Sequence, residues 1–182
     1  MKKLYFVRHG ETPLNVEKLF SGQIETPLTK KGVAQARTTA KLIKQTIPKI
    51  DLIIASPYTR TTHTAQIIAE RIGYPSDKIV FHDLLIERSY GDLEGTSTER
   101  YYKPNMHMDI DHIETVETVK DLQDRAQKAL DLVRTFDDHD VILIVGHGSF
   151  GRALYRAANN LPHTHEFELF FPIDNAKLLE LF

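Results

Sequence analysis

One device occurs twice in this chain. "YFVRHG" (residues 5–10) and "LIVGHG" (residues 143–148) each run from an apolar strand-like segment into His-Gly, with helix-forming sequence close behind. A short apolar run bounded in this way reads as a strand buried on both faces. Two of them in one chain demand a sheet with cover on each side.

The intervening sequence supplies that cover. A first long helix follows "TPLTKKG", with Thr29 as a fitting N-cap and Pro48 closing it. Its apolar positions Val33, Ala36, Ala40, Ile43 and Ile47 fall at three- and four-residue steps. Residues 51–56, "DLIIAS", read as the next strand. Pro57 stands where another helix begins, with Ala65, Ile68, Ala69 and Ile72 on its inner face and "GYP" ending it. Short strand pieces are expected around "KIVFHDLL". Helical spacing returns at Val119, Leu122, Ala126, Ala129, Val133 and Phe136. "DVILIVGHG" is a strand, a helix is expected from about residue 149 to 158, and "HEFELFF" and "AKLLELF" read as the last strands. Strands alternating with helices give an α/β fold, a mostly parallel sheet with helices on both faces. A chain of 182 residues suits one domain, residues 1–182. The irregular residues 96–116, around Pro104, are expected to form a lid of loop or short helices.

Composition excludes several kinds of function. With no cysteine, the chain has no disulfide, thiolate metal site or cysteine nucleophile. A formal net charge of −2 argues against binding nucleic acid through its phosphate backbone. No apolar run is long enough to span a bilayer, and residues 4–7 are too short for the apolar region of a signal peptide. A cytoplasmic location, with neither nucleic acid nor membrane as partner, is the expectation.

In parallel sheets, ligands bind beyond the carboxyl ends of the strands. If both His-Gly strands are parallel and central, His9 and His147 emerge at the same edge and face each other. Gly10 and Gly148 let the backbone approach a ligand, and helix N-termini there favour an anion. Arg8 precedes His9, and Arg60 follows the strand end in "ASPYTRT" by about one helical turn. Each has an ordinary reading alone, as a hydrogen-bonded histidine, a surface arginine or an ion-pair partner. Together, two arginines, two histidines and helix ends form a site for phosphate or carboxylate. A metal needs three or four ligands, and arginines beside the site would repel it. The pairs His107/His112 and His163/His165 lack the helical HExxH form. The site is therefore expected to work without metal or cofactor. A neutral imidazole can attack phosphorus while the arginines stabilise the charge on its oxygens. A general acid must then protonate the leaving oxygen. "LLIERSYGDLEG" offers Glu87 and Glu94, and Glu87, nearer the strand end, is preferred.

These residues together resemble the histidine phosphatase superfamily, the phosphoglycerate mutase-like enzymes, over nearly the whole chain. "RHGETPLN" resembles the family's Arg-His-Gly-x-Thr-x-x-Asn signature. "FSGQIETPLTKKGVAQA", "SPYTRTTHTA", "LIERSYGDLEG" and "VGHGSFGRAL" resemble the blocks that follow, in the same order. The resemblance implies a three-layer α/β/α sandwich and no metal. It implies that His9 is the nucleophile and carries the phosphoryl group, that Arg8, Arg60 and His147 hold that group, and that Asn15 adds a hydrogen bond. Glu87 would donate the proton and then activate water. Ser21 and Gly22 would line the substrate side of the pocket.

The activity divides into two readings. "ERSYG" and Ser21 resemble the mutase form, in which the residues matching Arg88 and Tyr90 contact substrate. The mutases also carry a longer insertion with adjacent arginines. This chain has no Arg-Arg pair, and Arg100 and Lys103 are the basic residues of an acidic 96–116 segment. The phosphatase block Trp-Glu-Gly is here Leu93-Glu94-Gly95. The preferred expectation is a phosphatase (a phosphoric monoester hydrolase of histidine acid type) acting on a small phosphorylated metabolite, with a cofactor-dependent phosphoglycerate mutase as the alternative. A module that binds a phosphorylated ligand without turnover ranks last. The apolar C-terminal strands serve equally as core or as the edge of a homodimer.

Overall fold

The computed structural model describes residues 2–99, 101, 110–161 and 173–182. Strands β1 (Lys3–Arg8), β2 (Leu52–Ala55), β3 (Val80–Phe81), β4 (Val141–Gly146) and β5 (Leu178–Glu180) form one sheet in the order β3-β2-β4-β1-β5. The first four are mutually parallel, and β5 runs antiparallel to β1 at the edge. The two His-Gly strands are therefore central neighbours. Their register pairs Arg8 with Gly146, which places His9 and His147 one step beyond, side by side.

Alternation along the strands builds the two outer layers. Leu4, Phe6, Ile142 and Ile144 pack with helices α4 (Val119–Arg134) and α5 (Gly148–Ala158). Tyr5, Val7, Leu143 and Val145 face the other way, onto α2 (Lys30–Thr46) and α3 (Thr59–Ile72). Successive strand residues point to opposite faces, so both faces are apolar and both are covered. This is the α/β/α sandwich that the sequence implies. No helix among the described residues is long and apolar enough to cross a membrane.

Several boundaries differ from the expected ones. Helix α3 starts at Thr59, two residues after Pro57; Tyr58 is its N-cap, and the Glu25 carboxylate accepts the Thr59 N–H at 3.0 Å. An end cap supplied from a distant segment is invisible to local spacing. Helix α4 stops at Arg134, short of Phe136. Thr29 does cap α2, its hydroxyl accepting the Gly32 N–H at 2.9 Å. A short helix α1 (Pro13–Val16) was not foreseen. "AKLLELF" supplies only the three residues of β5, while "HEFELFF", Arg100, Lys103, His107, His163 and His165 lie outside the described residues.

The described ends of the expected lid are tied to the body. Leu19 and Ser97 form an antiparallel bridge, the Phe20 N–H donates to the Thr96 carbonyl at 3.0 Å, and the Thr98 N–H donates to the Lys18 carbonyl at 2.8 Å. Further on, Ile110 and Val116 are buried in a small cluster with Phe20 and Tyr90.

Candidate active site

The carboxyl ends of β1, β2 and β4 carry the polar cluster. His9 and His147 are buried, with ring centroids 5.3 Å apart and planes at 65°. Their hydrogen bonds fix their tautomers. The Gly10 carbonyl can only accept, so His9 Nδ1, 2.7 Å away, carries the proton and Nε2 keeps the lone pair. Arg60 Nε can only donate, so His147 Nδ1, at 3.2 Å, accepts; His147 Nε2 then donates to Ser56 Oγ at 2.8 Å. Burial, then Arg8 and Arg60, holds His9 well below the usual histidine range. Burial, then Arg60 and His9, does the same for His147. Both rings are neutral at neutral pH, and His9 presents an unprotonated nitrogen.

Those buried rings make stability depend on acid. The unfolded chain takes up a proton at each histidine near pH 6.5, and the native state does not. The stabilisation is thus complete above about pH 6.5 and declines as pH falls below it, by up to about 1.4 kcal/mol per histidine per pH unit. Thermal melts taken from pH 7.5 down to about 5 should show a steady fall in Tm. A flat profile would mean that both rings are charged in the folded protein.

A cavity of about 120 Å³ opens beside His9, lined by Arg8, Asn15, Ser21, Gly22, Arg60, Glu87, Tyr90, Gly148, Ser149 and Arg152 among others. Arg60 is fully buried, and its Nη atoms donate to the Gly22 and Ile24 carbonyls at 2.7 Å each. Arg8 reaches the Ile173 carbonyl at 2.6 Å. Asn15 closes a capping box with Thr12 and accepts from Asn175 through Oδ1. Ser21 Oγ is buried in the cavity wall with no hydrogen-bond partner among the described residues. Glu87 lies across the N-terminus of α5: its carboxylate accepts from the Ser149 N–H at 3.2 Å, and from the Phe150 and Arg88 N–H groups at 2.9 Å each. Arg8, His9, Arg60 and Glu87 all line this one cavity.

Two of the expected site residues do not line the cavity. His147 packs against His9 without lining the cavity, its Nδ1 accepting from Arg60 and its Nε2 donating to Ser56. Arg88 points away from the cavity into the core, where it pairs with Asp111 and donates to the Glu117 carbonyl at 2.8 Å. Tyr90, two residues on, does line the cavity, with its hydroxyl 2.8 Å from Ser149 Oγ. Arg88→Met should therefore cost about 3–5 kcal/mol of stability, by breaking the ion pair of a fully buried guanidinium with Asp111, with KM unchanged. Chemical denaturation and steady-state kinetics on one preparation separate these effects; a raised KM at unaltered stability would return Arg88 to the substrate.

Other contributors escaped the sequence reading. Glu94 Oε1 accepts from the Gln23 and Tyr90 N–H groups at 3.0 and 3.1 Å, fastening the strip that holds Arg60. Gly22 sits at φ +41°, and a Cβ there would lie 2.1 Å from that same oxygen. Glu11 accepts from Thr29 and Lys31, which gives it a structural role at the start of α2. The Ala176 N–H donates to the Arg8 and His9 carbonyls at 3.0 and 3.1 Å and braces the nucleophile from behind. Ser149 and Arg152 also line the cavity; helical spacing from Gly148 was the available signal. Among the described residues, no three His, Cys, Asp or Glu side chains cluster as a metal ion would need.

Comparison with known proteins agrees with the geometry. The family model of the histidine phosphatase superfamily (branch 1) matches residues 4–181. The uncharacterized phosphatase PhoE of Bacillus subtilis (strain 168) is 35% identical over 157 residues, covering 85% of this chain and 76% of that protein. The probable phosphoglycerate mutase GpmB of Escherichia coli (O1:K1 / APEC) is 35% identical over 156 residues, 81% of this chain and 70% of the relative. Among solved structures, that of the open reading frame Rv3214 of Mycobacterium tuberculosis superposes with a TM-score of 0.80 at 28% identity, over 97% of this chain and 89% of that one.

Proposed function

We propose that this chain, which belongs to the histidine phosphatase superfamily (branch 1), hydrolyses a small phosphomonoester through a phosphohistidine on His9. The observation that carries the reading is the fixed tautomer of His9: a neutral ring, its Nδ1–H held by the Gly10 carbonyl, with Arg8 and Arg60 beside it. His9 Nε2 attacks phosphorus, and the bond to the ester oxygen breaks. Glu87, in its protonated form, gives its proton to the departing oxygen. The resulting carboxylate takes a proton from water, the hydroxide attacks phosphorus, and the P–N bond breaks to release inorganic phosphate and restore His9. Arg8 and Arg60 stabilise the charge on the transferring group, and Asn15 and Ser21 lie within the same wall. No step requires a metal ion.

The mutase reading differs only in the acceptor, which would be a second substrate hydroxyl in place of water. Tyr90 and Ser21 in the cavity wall, and the resemblance to GpmB, favour it. The displacement of Arg88 into the core removes one of its supports. Release of phosphate from p-nitrophenyl phosphate in the presence of EDTA is the test. Conversion of 3- to 2-phosphoglycerate that depends on the bisphosphate, without net hydrolysis, would replace the phosphatase by the mutase.

A further inference from the structure

The turn that leads into β5 grips the end of β1 from behind. The Ile173 carbonyl accepts from Arg8 Nη1 at 2.6 Å, and the Ala176 N–H donates to the Arg8 and His9 carbonyls at 3.0 and 3.1 Å. Ala176 does this at φ +57°, a left-handed conformation that an alanine adopts only at a cost. Thr39 of α2 holds it there, its hydroxyl donating to the Ala176 carbonyl at 2.5 Å. Backbone strain of this kind persists where its surroundings fix it, and here it sets Asn175, the preceding residue, against the catalytic strand end.

Asn175 Nδ2 lies 3.1 Å from the His9 carbonyl and 3.1 Å from Asn15 Oδ1. A carbonyl can only accept, so the Asn175 atom that faces His9 is the NH2, and its two hydrogens serve the two oxygens. The Asn15 atom facing that NH2 also receives the Thr12 N–H at 3.1 Å, so it must be the oxygen. Two donors therefore set the Asn15 amide one way round. A reversed Asn15 would turn its own NH2 against both of them. The other end of the amide, Nδ2, finds no acceptor among the described residues, and Asn15 lines the cavity beside Arg8 and His9. Its N–H groups are thus left for an oxygen of the ligand.

We propose that Asn175 is a positioning residue: it fixes the Asn15 amide so that the Asn15 NH2 donates to the phosphoryl group transferred to His9. One NH2 then ties the nucleophile's backbone and the neutral donor of the anion site into a single unit. The proposal rests on the phosphatase reading for turnover but not for anion binding, and its test uses both. The plainer role, fastening the turn, is already filled by the Ala176 N–H and by Thr39, whose bonds do not involve the Asn175 side chain. Wild type, Asn15→Ala, Asn175→Ala and the double variant are compared by calorimetric titration with inorganic phosphate, by kcat and KM on p-nitrophenyl phosphate, and by urea denaturation.

Asn15→Ala should raise the Kd for phosphate about tenfold, the scale of a lost hydrogen bond to a charged group. Asn175→Ala should raise it by about three- to tenfold, because the Thr12 N–H still holds the amide. The double variant should be within about twofold of Asn15→Ala, since Asn175 acts through a group already removed. A purely structural role would lower stability and let the two losses multiply. Multiplied losses, or an Asn175→Ala protein that binds phosphate as wild type does, overturn the proposal. Asn175→Asp keeps the shape and replaces the donors by acceptors; it provides the same comparison in a second variant, and wild-type affinity there also overturns the proposal. If the coupling in Kd is present but wild type releases no phosphate from the ester, the phosphatase reading fails and the positioning role stands.

Discussion

Replacing His9 with alanine should abolish phosphate release, by at least about a thousandfold in kcat, together with any phosphohistidine. The expected size follows from what the ring does. It forms the covalent bond, and removing the nucleophile of a covalent mechanism leaves only the background supplied by the remaining groups. The fold should survive, because His9 projects from the end of β1 and, among the described residues, its ring makes one hydrogen bond, to the adjacent Gly10 carbonyl. The preorganised anion site should also survive, since Arg60 is held by Gly22, Ile24 and His147, none of which depends on the His9 ring. The variant should therefore still bind inorganic phosphate or vanadate while failing to turn over. Mixing wild type with radiolabelled substrate and quenching in alkali, where phosphohistidine persists, should trap label that the variant lacks. If His9→Ala keeps full activity, the covalent route is wrong whatever the fold.

The pairing of His9 with His147 was legible because it rests on two local facts, an apolar run and the His-Gly that ends it. A parallel sheet turns those facts into adjacency. Arg60 was legible for the same reason, one helical turn beyond a strand end. What local spacing does not carry has a different cause. Arg88 sits between two cavity residues in sequence, yet the backbone turns it inward, where Asp111 and the Glu117 carbonyl receive it. Those partners lie more than twenty positions away, and no local pattern announces them. His9 and His147 end matched strand motifs, but the matched motifs do not give matched environments. Ser56, from the end of β2, occupies one side of the His147 ring, whereas His9 bonds its own neighbour. Glu94 was weighed as an acid and proves to be a clamp, since its partners Gln23 and Tyr90 come from two separate segments. Sequence spacing identified what emerges at the sheet edge; long-range hydrogen bonds decide which of those groups turn toward the ligand.

Glu87→Gln should discriminate between leaving groups, and the contrast identifies its role. For an alkyl phosphate the departing oxygen is strongly basic, and loss of the general acid should lower kcat by about a hundredfold to ten-thousandfold. For p-nitrophenyl phosphate the leaving group is stable as an anion, so phosphorylation of His9 needs little protonation and should slow by less than about tenfold. Dephosphorylation still calls on position 87 to activate water, so a burst of nitrophenol followed by slow turnover is expected. The geometry supplies a competing explanation that the experiment must separate. Both Glu87 oxygens accept backbone N–H groups at the start of α5, and the glutamine NH2 would face a donor in place of an acceptor, at Ser149 or at Arg88 and Phe150. A defect of that structural kind would displace Ser149 and Gly148, both in the cavity wall, and would damage the two substrates alike. Equal losses on alkyl and nitrophenyl esters, with no burst, would assign Glu87 to holding α5 and leave the proton donor to be found elsewhere in the cavity. Unequal losses, with the burst, would make one carboxylate both the cap of that helix and the acid of the reaction.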